Sequence, residues 1–260
     1  MQNLLHRSPV QPALLKSRPV KKSALLVVTS DKGLAGAFNA NVLRRAESWY
    51  AAHPDGIIFT IGKKAKEYFD RRGISLLQSD LGFGDFTELS QTLHIADRMI
   101  YGFLNNEWDE VDAVYTNFRS TLVQEATLKK ILPVTKEGLE EVVKGILPQR
   151  GKYAATTAPR HSERSEESQD PSALPQDDRE KKQYNFEYQF EPSAKEIVDT
   201  LIPQLIRLHI HHIILESNAS EHSARMIAMK NASDNAKGII TDLTLVYNKV
   251  RQAGITRELT

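Results

Sequence analysis

The feature that most limits what this chain can fold into lies close to its end. Met229, Ala232, Ala236, Ile239, Leu243, Val246, Val250 and Ala253 follow one another at spacings of 3, 4, 3, 4, 3, 4 and 3. That alternation sets them on one stripe of an α-helix and is the heptad seam of a coiled coil. A helix from about Ile213 to Thr260 would be ~70 Å long at the usual rise per residue, longer than a small domain is wide. It has to project, and its apolar stripe has to be buried, because isolated helices are marginal in water. No second heptad segment occurs in the sequence, and the N-terminal stretch carries Pro9, Pro12 and Pro19, which bar it from that role. The covering partner is therefore another chain, a second copy, or a segment missing from this sequence. Small and polar residues such as Ala228, Asn231, Asn235 and Gly238 leave little bulk around the helix and permit close approach by a surrounding surface.

Upstream, the chain reads as an α/β domain with a mainly parallel, Rossmann-like sheet. Residues 1–22 form an extended lead-in without the continuous apolar core of a signal peptide. From Ser23, over residues 23–149, short apolar runs alternate with helical periodicity, the mark of βαβ units. The pattern predicts strands at Ala24–Thr29, Ile57–Ile61, Ile74–Leu77 and Val111–Phe118. Helices are predicted from about Asn39, over Lys63–Arg72 with Gly73 as terminator, and over Glu88–Leu104. Arg119–Val134 fits either a further strand with a loop or a short helix entering at Thr127, and periodicity does not separate the two. Residues 150–183, rich in Ser, Pro, Gln and charge, predict a disordered insertion. Residues 184–260 then hold a last strand, where Tyr184, Phe186, Tyr188 and Phe190 alternate with polar residues, and the long helix. Ser193 and Glu196 stand in a capping-box arrangement at the helix start, and Pro203 is placed to kink it.

Composition removes several kinds of chemistry. The 260 residues include no cysteine, so disulfides, zinc–thiolate sites and thiol nucleophiles are excluded. Basic and acidic residues number 34 and 33, a net charge of +1 that offers nucleic acid no overall field. The longest purely apolar run, Ala24–Val28, is far short of the ~20 residues that span a bilayer; membrane association would go through a partner. Gly33 and Gly36 in the loop Ser30–Ala37 fit neither G-x-G-x-x-G nor the Walker spacing, which predicts a tight strand-to-helix turn there and not a nucleotide site. His209, His211 and His212 lack a carboxylate at metal-ligand spacing, and no G-x-S-x-G elbow is present. Neither metal nor cofactor is expected, and the chain is read as non-catalytic.

Three blocks carry a resemblance to a known family. SEHSARMIAMKNASDNAKGIITDLTLVYNKVRQAGITRELT, Ser220 to Thr260, closely resembles the end of the F-type ATP synthase gamma subunit, the central rotor shaft. LLVVTSDKGLAGAFNANV, Leu25 to Val42, is similar to that family's first strand and glycine loop, and EYQFEPSAKEIVDTLIP to its return into the C-terminal helix. The similarity covers roughly residues 21–149 and 184–260.

The resemblance implies a central-stalk rotor that couples ion flow through a membrane c-ring to ATP synthesis in a hexamer of alpha and beta subunits. Its other implied partner is an epsilon-type subunit, and its implied location is the cytoplasmic face of a bacterial cell membrane, held there peripherally. Arg225, Lys230, Arg251, Gln252, Thr256 and Glu258 match family positions that face or lie near the hexamer; their ordinary alternative is an exposed helix face. Phe190 and Glu191 match the foot that approaches the ring. The family usually begins with a long helix that winds around the C-terminal one. This chain is read as lacking that helix and the last few residues of the shaft, and its insertion near residues 151–182 as longer than the family's. Two other readings stay open: a nucleotide- or small-molecule-binding α/β enzyme dimerised by its helix, and a degenerate rotor fragment unable to transmit torque.

Overall fold

Ser23–Val28 (β1), Ile57–Ile61 (β2), Leu76–Asp80 (β3), Glu110–Phe118 (β4) and Gln124–Leu132 (β5) form one five-stranded sheet in the order β3-β2-β1-β4-β5. The computed structural model describes residues 13–83, 87–135 and 194–259. Strands β1 to β4 run parallel, with Leu26 opposite both Phe59 and Ala113, and β5 joins β4 antiparallel at the edge. Every residue of β1 is buried, as a central strand of a parallel sheet covered on both faces requires.

The two faces have separate cores. On one, Leu25, Val27, Ile58 and Val114 meet Val42, Ala46 and Trp49 of Phe38–Ala52 (α1) and Ala65 and Phe69 of Lys63–Arg71 (α2). Across the sheet, Leu26, Phe59, Ala113 and Tyr115 meet Ile95, Met99 and Phe103 of Leu89–Leu104 (α3), and Val198 to Ile214 of Ala194–Leu259 (α4). Alternate residues of each strand supply the two cores, so the alternation of the pleat is what divides them.

Several expectations shift. The third strand is β3, Leu76–Asp80, and not Ile74–Leu77: an edge strand tolerates the polar Gln78-Ser79-Asp80, whose backbone pairs with β2, while Asp80 also bonds His94 Nε2 at 2.8 Å. The open segment after Phe118 is strand β5, with Lys129 and Lys130 on the sheet edge. Glu88 is the N-cap of α3 and not its first residue, and its backbone N–H donates to Gln91 Oε1 at 3.0 Å. The lead-in is more than extended chain: Ala13–Leu15 is a 3₁₀ turn, Leu14 enters the core, and the Arg18 guanidinium lies 4.3 Å over the Phe103 ring. The proposed strand 184–190, the insertion 150–183 and the Ser193 cap lie outside the described residues.

α4 is continuous for 66 residues, with Pro203 inside it, which gives a rod of ~100 Å. Projection begins later than Ile213. Ile213, Ile214, Ser217 and Ser220 are still buried against the domain, because the sheet face beside α3 would otherwise stand open to water. From Met229 to Glu258 nearly every side chain is exposed.

Candidate functional site

Among the described residues, nothing covers the projecting half of α4. Met229, Ile239, Leu243, Val246 and Val250 of the seam are 40–66% exposed, and Ala232, Ala236 and Ala253 are exposed beside them. The apolar surface is wider than the heptad pattern: Ile240 and Tyr247 flank the seam at 62% and 67% exposure. Leu245, 65% exposed, stands roughly 120° around the axis from Ile239 at 3.6 residues per turn. Covering all of these takes a surface that wraps the rod, and a single helix along the seam would leave Leu245 in water.

Below it, directional contacts hold α4 on its base. Arg207 Nε donates to Asp97 Oδ1 at 2.6 Å, Asn218 Nδ2 donates to Thr87 Oγ1 at 3.0 Å, and Ser220 Oγ donates to the Thr116 carbonyl at 3.2 Å. His211 Nδ1 lies 3.2 Å from Thr92 Oγ1. Sequence reasoning weighed His211 only as a metal ligand and assigned no role to Arg207, Asn218 or Ser220. Their partners are more than a hundred positions away in the chain and no local spacing announces them.

The glycine loop is a turn built to meet the rod. Leu34 and Gly36 take the left-handed conformation (φ 64° and 57°), whereas Gly33 does not. Glycine at 36 supplies the left-handed turn without strain, and the loop then lies against α4, where a Cβ at this position would stand in ordinary contact, 3.8 Å from Cβ of Ala228. The neighbouring crevice is the topological switch point between β1 and β4, where open α/β sheets commonly bind ligands. It holds a cavity of about 320 Å³ roofed by α4 and bounded by Phe38, Asn41, Thr116, Gln124, Ala228 and Asn231. None of the described residues lining it is charged.

The residues singled out on the terminal helix fall into two groups. Arg225 is mostly covered: it pairs with Glu221 one turn below, and its Nε points to the Gly33 carbonyl at 3.5 Å. Lys230, Arg251, Gln252, Thr256 and Glu258 are exposed on the rod, Thr256 Oγ1 donating back to the Gln252 carbonyl at 3.0 Å. The structure thus brings Arg225 to the base and leaves the other five on the free shaft. Phe190 and Glu191 lie outside the described residues. Among the described residues no group of three potential metal ligands converges.

The histidines belong to the base. Burial pushes the His209 imidazole down to about 4, and Lys129 and His212 act in the same direction; burial also lowers His211. An unfolded chain binds that proton near pH ~6.5, so the unfolded state takes up the extra proton as the pH falls from there. Stability should be complete above about pH 6.5 and fall by on the order of 3 kcal/mol by pH ~4. His209→Leu is expected to flatten this decline, read as urea midpoints at about pH 7.5 and about pH 4.5. An unchanged acid sensitivity would place the titrating group elsewhere.

A family model described as ATP synthase matches residues 1–260. The ATP synthase gamma chain of Roseiflexus castenholzii (strain DSM 13941 / HLO8) is 37% identical over 251 residues, which span 95% of this chain and 72% of the relative. That of Thermosynechococcus vestitus (strain NIES-2133 / IAM M-273 / BP-1) is 36% identical over 265 residues, 100% of this chain and 79% of the relative. Among solved structures, the chain is similar to one from the central stalk/c-ring of the Tetrahymena thermophila mitochondrial ATP synthase, with a TM-score of 0.57 and 19% identity over 89% of this chain and 85% of that one. It is also similar to a chain from the OSCP/F1/c-ring structure of the Euglena gracilis mitochondrial ATP synthase, with a TM-score of 0.60 and 18% identity over 92% of this chain and 70% of that one. At those identities the structural likeness speaks to the fold.

Proposed function

Because the chain belongs to the ATP synthase gamma chain family, the central-stalk subunit of the F-type enzyme, we propose that its projecting half turns inside a sleeve of alpha and beta subunits while its sheet domain rides on the membrane c-ring. The observation that carries this reading is the free half of α4, with exposed apolar side chains on more than one side. A sleeve covers such a rod on every side; a dimer partner would cover one. As the rod turns, it presents different side chains to each beta subunit, and the difference in contact energy biases their conformations in sequence. The chemistry of ATP belongs to those partners, and this chain is non-catalytic.

Arg251, Gln252, Thr256 and Glu258, near the free end, and Lys230, near the base, make the polar contacts with the hexamer in this reading. Arg225 acts at the junction, tying rod to glycine loop. Phe190 and Glu191 meet the ring, and an epsilon-type subunit binds the sheet domain beside it. Attachment to the cytoplasmic face of the bacterial membrane runs through the ring. No helix among the described residues is long and apolar enough to cross a membrane.

Co-expression with alpha and beta subunits tests the assignment. The expected result is one complex that elutes as the hexamer with this chain bound and, with ring and stator added, pumps ions on ATP addition. Failure to enter a hexameric complex under any condition would remove the rotor reading.

A further inference from the structure

The lower part of α4 grips the sheet through a row of nearly identical side chains. Val198, Ile202, Ile206, Ile210 and Ile214 recur every four residues, and none is more than 3% exposed. Higher up, Ser220, Ala224, Ala228, Ala232 and Ala236 repeat small side chains at the same interval, with Ala228 set against Gly36. A screw displacement of four residues, about 6 Å along the axis with a turn of about 40°, carries isoleucine onto an isoleucine site and alanine onto an alanine site. Apolar attraction is non-directional, so this packing by itself discriminates weakly between one register and the next.

Polar side chains just above the ladder break the repeat. A displacement that carries each residue into the site four positions earlier would put Asn218 into the fully buried site of Ile214, away from Thr87 Oγ1. It would also put Glu221 into the site of Ser217, which is 1% exposed. The opposite displacement would put Glu216 into the site of Ser220, which is wholly buried. An amide buried without a partner is unfavourable, and a carboxylate much more so. In the observed register Asn218 and Ser220 make their hydrogen bonds and Glu221 pairs with Arg225.

We propose that Asn218 and Glu221 are positioning residues that set the register of α4 on the sheet domain, and with it the height at which the shaft stands. A lone polar residue in an apolar seam fixes register in coiled coils by the same penalty. The functional consequence rests on the rotor reading: one step of slip would move every contact of the projecting half by about 6 Å.

The absence of cysteine from the sequence makes a direct test available in the full chain. Gly36→Cys with Ala228→Cys reports the observed register, because the two Cβ positions lie 3.8 Å apart, within disulfide range. Gly36→Cys with Ala232→Cys reports the slipped one, since Ala232 stands about 6 Å further along the axis. The strain of a side chain at Gly36 is common to both pairs.

In the Asn218→Leu/Glu221→Ala background, the yield of the 36–232 disulfide is expected to rise about tenfold or more over the same pair without those changes, equivalent to ~1.4 kcal/mol. Leu208→Ala, on the exposed side of the same helix stretch, should leave it unchanged. An unchanged yield in the double variant, or an equal rise with Leu208→Ala, overturns the proposal. Should the double variant not fold, Asn218→Leu alone is expected to raise the same yield to a smaller extent, and no rise there overturns it equally. The readout needs no partner subunit, so it succeeds or fails independently of the rotor assignment.

Discussion

Trp108→Ala is expected to lower the stability of the chain by about 3–5 kcal/mol, the range for removing a large aromatic from a close-packed core. Trp108 is fully buried and meets Phe59 edge-on at 5.5 Å, and its indole N–H donates to the Met99 carbonyl at 3.1 Å. Its ring occupies the space over Gly102, where a Cβ would come within 2.0 Å of it. That fit holds α3 to the sheet, and α4 packs against both α3 and β4. Gly102→Ala should therefore be destabilising as well, through overpacking of the kind that costs about 1–3 kcal/mol. Urea unfolding followed by far-ultraviolet circular dichroism measures both, as a lower midpoint at constant slope. A loss below about 1 kcal/mol for Trp108→Ala would mean that the core closes over the vacated space.

Leu243→Asp combined with Val250→Asp is expected to leave folding almost untouched and to abolish assembly. Both side chains are more than 60% exposed in the chain alone, where substitutions usually change stability by no more than about 0.5 kcal/mol. In a complex that encloses the rod, each loses about 1.5–3 kcal/mol of apolar burial, and each new carboxylate adds the cost of its own desolvation. Together that exceeds ~4 kcal/mol, or roughly a thousandfold in affinity. Competition between the variant and the unaltered chain for a limiting amount of alpha/beta hexamer reads the ratio directly. Equal capture would show that this part of α4 stays in solvent in the assembled state.

The paired outcomes separate two roles of one helix. From Val198 to Ser220 α4 is a core element, and core substitutions there act on stability. Beyond Ala228 its side chains are exposed, and in the proposed rotor reading substitutions there act on assembly. Residues 225–228 lie between these regimes: Arg225 joins Glu221 and the glycine loop, and Ala228 meets Gly36.

Much of this was readable in the residues themselves. The short apolar runs of β1 and β2 announced parallel strands, and Ile57–Ile61, introduced by Gly56, matches the observed strand to the residue. The seam from Met229 to Ala253 announced a surface in need of a partner, since its spacing is a local property of one helix. The strand β3 was harder, because Gln78, Ser79 and Asp80 are polar and it is the pairing with Ile58 to Ile61 of β2 that makes it a strand. Arg119–Val134 was ambiguous for the same reason: β5 exists through β4, and its own periodicity is weak. Leu14 and Arg18 looked like part of a loose lead-in, and their places depend on α3 and on Asp109, far along the chain.

The layered α/β class, the turn after β1, the apolar seam of the terminal helix and the family are all legible in the residues alone. Each of these is written in short-range spacing or in contiguous motif, which local steric rules and apolar periodicity convert into structure. Tertiary contacts set where the rod leaves its base and which polar residues hold it there. Those depend on contacts between residues a hundred or more positions apart, and a ladder of repeated isoleucines carries no information about register until Thr87 and Thr116 stand beside it.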